Sequence, residues 1–274
     1  MQQLTLTAIG PEIVDTLTNP ADLTTFDIIL VNTSAGKDSG VMLDEVARLA
    51  SLQGVLDRVV AVHADLGRSE WPGTTELAER QCATAGIALH VVRRTDGADL
   101  LDLVERRGMW PSAAARYCTS DLKRAPIRKL MTALAREHRS TLADPRPCRI
   151  LNCMGLRAAE SSARSKRQSI EHDATASTKT TRTVTNWHPI LHWSDGEVWN
   201  HIHTNHLEYH PAYDLDGVER LSCVCCVLAS DAQLRAGIRN NPDLARTHAD
   251  LEQRIDHRFT NTRSISDLTT QELP

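Results

Sequence analysis

No apolar run in the 274 residues is long enough to span a bilayer, and the N-terminus lacks a basic start, carrying Glu12 and Asp15 instead. Neither a membrane anchor nor a signal peptide is expected, so the default location is cytoplasmic. There is no surplus of positive charge either. With 31 Lys+Arg against 35 Asp+Glu, the formal net charge is −4, which argues against a protein that coats nucleic acid through bulk electrostatics. No internal repeat is present. What remains is a soluble globular composition, 41% hydrophobic and 24% charged, in a chain long enough to bury a full core in one large domain.

Charge and cysteine are unevenly placed. Residues 105–129 hold seven Lys/Arg against two acids, and residues 157–182 hold six against three. A locally basic middle suits an anionic ligand, and a solvated helix face has the same look. Seven cysteines in a cytosolic chain read as thiols or metal ligands rather than disulfides. Cys223, Cys225 and Cys226 cluster, and Cys118 stands in a polar, basic context. Cys82, Cys148 and Cys153 occur singly, as buried cysteines do.

Hydrophobic patterning alternates strands with helices. Strands are expected at residues 26–32, 59–63, 88–92, 149–154 and 183–187. Helices are expected at 38–53, 73–85, 99–107, 120–137 (with a start or kink at Pro126), 156–167 and after the Ser194 cap. This order predicts an α/β fold, a Rossmann-like, doubly wound and mostly parallel sheet. Residues 1–25 form a lead-in with a short helix near 11–17, and residues 26–230 form the main domain. Residues 231–274 are a helical C-terminal extension, two short helices around Pro242 and then a polar tail. The polar stretch 169–181 is expected to be a mobile loop.

The first strand runs into Ser34-Ala35-Gly36-Lys37-Asp38-Ser39. A buried strand, a Ser/Gly turn and a helix N-terminus together make an anion site, because free N–H groups and the helix dipole converge there. Lys37 adds charge, and Ser34 and Ser39 add hydroxyl donors. The Walker spacing is absent, since Val31 stands five residues before Gly36 and Asp38 follows Lys37. Two further motifs fall at strand ends, where open α/β sheets bind ligands. Asp65 follows the second strand, with the chemistry to accept from a ribose hydroxyl or an adenine amino group; an Asp before Leu66-Gly67 is also an ordinary turn former. Gly155-Leu-Arg157-Ala-Ala-Glu160-Ser-Ser-Ala-Arg164 follows a later strand. On a helix, Arg157, Glu160 and Arg164 would share one face, with Glu160 holding guanidinium groups that point at phosphate or sulfate.

These motifs, in this order, resemble the phosphoadenosine-phosphosulfate (PAPS) reductase family and the N-type ATP pyrophosphatases. The loop resembles their Ser-Gly-Gly-Lys-Asp-Ser pyrophosphate loop, with Ala35 in place of the first Gly. The stretches from His188 to Trp199, His210 to Gly217 and Ser222 to Cys226 resemble the later part of the same domain. The resemblance implies the fold of the adenine nucleotide α-hydrolases and a substrate of ATP with Mg²⁺. It implies that Ser34, Ala35, Gly36, Lys37, Asp38, Ser39, Asp65, Gly155 and Arg157 bind the nucleotide, and that Lys37, Asp38, Lys123, Arg157 and Arg164 serve catalysis. Tyr117-Cys118-Thr-Ser-Asp-Leu-Lys123 and Cys223-x-x-Cys226 resemble the thiolate motifs of cluster-bearing members. They imply a [4Fe–4S] cluster on Cys118, Cys223 and Cys226, with zinc as the alternative. Tyr117 stands where sulfate-reducing relatives have a further Cys, so Cys225 and then Cys153 are the nearest fourth ligands.

Sulfonucleotide reductases also need a C-terminal nucleophilic Cys, and no cysteine follows Cys226. The wording around Cys118 is closer to the ATP pyrophosphatases of DNA phosphorothioation. The implied activity is cleavage of ATP to pyrophosphate and an adenylyl group, activating an acceptor for sulfur. DNA or tRNA is an implied acceptor and a cysteine desulfurase or other sulfur donor an implied partner. A sulfonucleotide reductase with an external thiol is the alternative, and a non-catalytic nucleotide- or nucleic-acid-binding subunit a third reading.

Overall fold

The computed structural model describes residues 22–143 and 146–273; the short helix expected near 11–17 lies outside them. Six strands form one sheet: β1 Ile28–Thr33, β2 Val59–Ala64, β3 Ala88–Val92, β4 Cys148–Met154, β5 Ile170–His172 and β6 Arg182–Trp187. Their spatial order is β3-β2-β1-β4-β6-β5. All pairs are parallel except β5 with β6.

The central strand β1 is buried on both faces, which is why it reads as a continuous apolar run. Ile29 and Val31 face a cluster with Met42, Val46 and Leu49 of α1 (Lys37–Leu52) and Cys82 of α2 (Thr74–Thr84). Ile28 and Leu30 face the other way, onto Met131 and Ala135 of α5 (Ala125–Ser140). Helices therefore cover both faces, as a doubly wound sheet requires. A second apolar cluster joins α3 (Leu100–Arg107) to Val218, Val224 and Cys225. It extends to α7 (Asp231–Asn240), α8 (Pro242–Ile255) and α9 (Ile265–Glu272).

Four local expectations are corrected. The helix expected at 156–167 is only a 3-10 turn, Ala158–Glu160. Arg157 is extended (φ −116°, ψ 139°) because its side chain is drawn to partners on other elements. The loop 169–181 contains β5, and Asp173 orders the turn beyond it by accepting from Thr175, Ala176 and Asn186. The helix expected at 120–137 is divided: α4 (Tyr117–Thr119) runs into a π-helical stretch, Ser120–Arg124, before α5 begins. Pro126 has no N–H, and its ring would meet the Leu122 carbonyl in an α register, so the backbone widens there. The polar tail carries a third helix, α9, whose Ile265 and Leu268 are buried.

Candidate functional site

Strand β1 has β2 on one side and β4 on the other, with the chain order reversing between them. The crevice outside the carboxyl ends of β1 and β4 is therefore the topological switch point at which open α/β sheets hold ligands. The loop Ser34–Gly36 opens into it. The Ser34 N–H donates to Ser39 Oγ (3.1 Å), and the Ser39 hydroxyl donates to the Gly36 carbonyl (2.9 Å), closing the turn from within. Ala35 takes the left-handed region at φ 56°, a conformation that explains glycine at this position in the resembling motif. Its methyl is buried with Leu77 and Ala78. Gly36 has an ordinary φ of −73°. Its missing Cβ admits the Tyr213 hydroxyl, which would lie 3.3 Å away. Gly155 closes the other side: a Cβ there would sit 2.8 Å from the Asp38 carbonyl oxygen and 3.1 Å from Ser39 Cα.

The charged groups form one chain. Lys37, only 3% exposed, extends its ammonium to Asp195 Oδ1 (3.0 Å) and to the Glu219 carbonyl (2.9 Å). Its Nζ lies 5.4 Å from the Tyr213 ring centroid and 5.9 Å from that of Trp199. Arg157, 5% exposed, donates from Nε to Asp38 Oδ1 (2.5 Å) and from Nη2 to Asp195 Oδ1 (2.8 Å). The sequence Lys37–Asp195–Arg157–Asp38 thus alternates in sign, and the neighbouring carboxylates hold the Arg157 guanidinium firmly protonated against its burial. The second oxygens of Asp38 and Asp195 carry no hydrogen bond among the described residues. Such hard oxygen donors at a phosphate loop suit Mg²⁺.

The Lys37 N–H donates to the Tyr213 hydroxyl (3.0 Å), which also accepts from the Leu221 N–H (3.2 Å). The segment from Tyr213 to Leu221 thereby lies against the loop. It is further tied by Arg220 to Glu160 (2.9 Å). Glu160 also accepts from the Arg157 N–H (2.9 Å) and pairs with Arg164. Glu160 therefore orients Arg164 and Arg220, while Arg157 leaves it for the two aspartates.

Asp65 is buried at the end of β2. Its carboxylate accepts from the Gly67 N–H (2.6 Å) and pairs with Arg93. The turn reading of this Asp is thus present in the structure. Between the loop and the cysteines lies His63, which bonds the Thr33 carbonyl through Nδ1 (3.2 Å) and Glu70 through Nε2 (3.2 Å). Although burial opposes it, Glu70 raises the His63 pKa above its ordinary value.

Cys118, Cys223 and Cys225 pack in the cluster shared with α7–α9. Burial raises the Cys223 pKa, as does the neighbouring Cys226; Lys123 lowers it, and Cys118 and Glu70 raise it further. The Lys123 charge is thus felt at the Cys223 thiol. Cys225 is likewise pushed up to about 12 by burial, with Cys223 and Cys226 as neighbours. Cys153 is different. It is fully buried in the cluster of α1 and β4, apart from the cluster that holds Cys118, Cys223 and Cys225.

A single zinc would need its thiolates about 3.8 Å apart, given Zn–S bonds of about 2.3 Å. Among the described residues, the group with ligand atoms within 4.8 Å of one another is Asp27, His138 and Cys148, at the opposite end of the sheet. Cys118, Cys223 and Cys226 do not form such a group among the described residues.

Asp195, Tyr213, Arg220 and the His63–Glu70 pair were given no role by sequence reasoning, although Asp195 and Tyr213 lie in the family-like stretches from His188 to Trp199 and from His210 to Gly217. Asp195 hides in a helix start, Ser194-Asp-Gly-Glu197, which the structure realises as a capping box on α6 (Asp195–Thr204). The others are brought in by tertiary packing, which no local spacing signals.

The profile of the phosphoadenosine phosphosulfate reductase domain family matches residues 28–229. An uncharacterized 37.8 kDa protein of Escherichia phage 186 is 29% identical over 147 residues, covering 54% of this chain and 40% of that protein's length. Among solved structures, phosphoadenylyl-sulfate reductase from Candida auris, in a phosphate complex, has a TM-score of 0.47 at 17% identity, covering 70% of this chain and 79% of that one. The U34-tRNA thiolase NcsA of Methanococcus maripaludis, with its [4Fe–4S] cluster, has a TM-score of 0.44 at 14% identity, covering 90% and 81%. No helix among the described residues is long and apolar enough to cross a membrane.

Proposed function

This chain belongs to the phosphoadenosine phosphosulfate reductase domain family, and from that premise we propose that it is an ATP pyrophosphatase that adenylylates an acceptor oxygen ahead of sulfur incorporation. The observation that carries this reading is the convergence of buried Lys37 and Arg157 with Asp38 and Asp195 at the β1/β4 switch point. The N–H groups of Asp38 and Ser39, in the first turn of α1, have no acceptor among the described residues and are free for phosphate oxygens. The acceptor oxygen attacks the α-phosphorus, the bond from that phosphorus to the bridging oxygen breaks, and pyrophosphate leaves with the electron pair. Lys37 and the loop stabilise the leaving pyrophosphate. Arg157 stabilises charge at the α-phosphorus, and Asp38 supplies the carboxylate for Mg²⁺. Arg164 and Asp65 border the nucleotide, one on Glu160 and one on Arg93.

Cys118, Cys223 and Cys226 would hold an iron–sulfur cluster, with Cys225 the nearest further thiol, and such a group supplies a thiophilic iron or an electron to sulfur transfer. The Lys123 charge is felt at the Cys223 thiol. Product analysis separates pyrophosphatase from reductase chemistry. Incubation with ATP, Mg²⁺ and candidate acceptors is expected to release pyrophosphate. Release of sulfite from PAPS with an external thiol, and no pyrophosphate from ATP, would overturn the proposal in favour of the reductase.

A further inference from the structure

Of the three tyrosines, two spend their hydroxyl protons within the fold: Tyr117 donates to the Met109 carbonyl (2.6 Å) and Tyr209 to Asp214 (3.1 Å). Tyr213 does not. Its oxygen accepts from the N–H groups of Lys37 (3.0 Å) and Leu221 (3.2 Å), and its own O–H meets no acceptor among the described residues. The ring is fixed in place. It stands edge-on to Trp199, with 5.4 Å between centroids and an interplanar angle of 89°, and the Lys37 ammonium lies 5.4 Å from its centroid. Burial pushes the Tyr213 pKa up to about 12, so the proton stays on the oxygen at neutral pH. The two accepted N–H bonds polarise the hydroxyl and strengthen it as a donor. A strong, shielded donor with an unspent proton, held at the first turn of α1, calls for an acceptor, because leaving such a group unpaired is costly.

We infer that Tyr213 is a phosphate-binding residue whose hydroxyl donates to an oxygen of the nucleotide's pyrophosphate group. The inference rests on the nucleotide site of the proposed function and adds a donor to it from outside the loop. An N–H in the first turn of a helix ordinarily meets a phosphate directly. Here the Lys37 N–H is relayed through the Tyr213 hydroxyl, while the N–H groups of Asp38 and Ser39 remain for direct contact. The resulting O–H···O⁻ bond is of the short, charge-assisted kind, and it strengthens as charge develops on the leaving pyrophosphate. Gly36 acquires a reason from this arrangement. A Cβ there would lie 3.3 Å from the hydroxyl, and its absence gives the oxygen room to reach the Lys37 N–H.

The test is titration calorimetry on the full chain with Mg²⁺ and inorganic pyrophosphate, an equilibrium measurement without turnover. Tyr213→Phe should weaken pyrophosphate binding on the order of tenfold to a hundredfold, the loss expected of one hydrogen bond to a charged acceptor. Phenylalanine also removes the acceptor of two backbone N–H groups, so a second variant separates the two roles. A difluorotyrosine at position 213 keeps the oxygen, but its O–H is a stronger donor and its oxygen a weaker acceptor. Below the pH at which its phenolate absorbance appears, this variant should bind pyrophosphate more tightly than wild type. A hydroxyl that only props the backbone would predict equal or weaker binding. Tyr213→Phe that binds like wild type, or a difluorotyrosine variant that binds no more tightly, would overturn the inference and leave the proposed function standing. Wild type that fails to bind pyrophosphate at all would sink the nucleotide reading and this inference together.

Discussion

The same two strands, β1 and β4, carry an Asp–Arg network at each end, and the two networks do opposite things with similar chemistry. At the amino ends, Asp27 accepts from Arg146 through both oxygens (2.6 and 2.7 Å), from the Arg149 N–H (2.8 Å) and from the Arg149 side chain (3.3 Å). The carboxylate is saturated, and the arginines hold its pKa far below the usual carboxylate range against the effect of burial. The nearby His138 and Cys148 therefore face an acid already spent on guanidinium groups, and the whole is a clasp between strands. At the carboxyl ends, Lys37 and Arg157 share one oxygen of Asp195, while further oxygens of Asp38 and Asp195 stay open. Spare carboxylate valence beside the buried Lys37 and Arg157 distinguishes a site from a strut.

Lys37→Ala should break the carboxyl-end network most severely. Pyrophosphate release should fall by at least about a hundredfold, as loss of one preorganised charge contact does, while the melting transition stays cooperative. Next in size, Gly155→Ala forces a Cβ against the Asp38 carbonyl. Backbone on both sides cannot yield, so denaturant titration should show a loss of about 3 kcal/mol, accompanied by lost nucleotide binding.

At the amino ends, Asp27→Asn should cost about 2 kcal/mol of stability and leave ATP binding unchanged. Its folded pKa lies below the ordinary 3.8. The wild-type contribution is therefore complete above about pH 4 and drains away as pH falls toward the folded value. The variant should lack that part of the acid limb, and parallel acid limbs would contradict the clasp. The smallest effect is expected of Ala35→Gly. Relief of the left-handed backbone, about 1 kcal/mol, is offset by loss of a buried methyl, about 0.8 kcal/mol. Thermal melts and turnover should both stay close to wild type; a large change in either would mean that Ala35 has a role beyond filling space.

Much of this was legible in the sequence. The run Ile28–Val31 and its Ser/Gly turn announced a buried parallel strand and an anion loop, and Ala88–Val92 was bounded as observed. Local patterning failed where distant partners decide the backbone. Arg157 is pulled out of a helical pattern by Asp38 and Asp195, and the polar stretch after Ser169 is ordered by Asp173 and by pairing with β6. Asp195 and Tyr213 reach Lys37 from 158 and 176 residues away along the chain; no spacing rule sees that far. The loop's departure at Ala35 is tolerated because its methyl has a place against Leu77 and Ala78.

Pyrophosphate release from ATP, measured side by side for wild type, Lys37→Ala and Asp27→Asn under conditions where all three remain folded, tests the central claim most directly. The account predicts that wild type and Asp27→Asn release pyrophosphate alike and that Lys37→Ala does not. Release that survives Lys37→Ala, or falls equally in both variants, would contradict it.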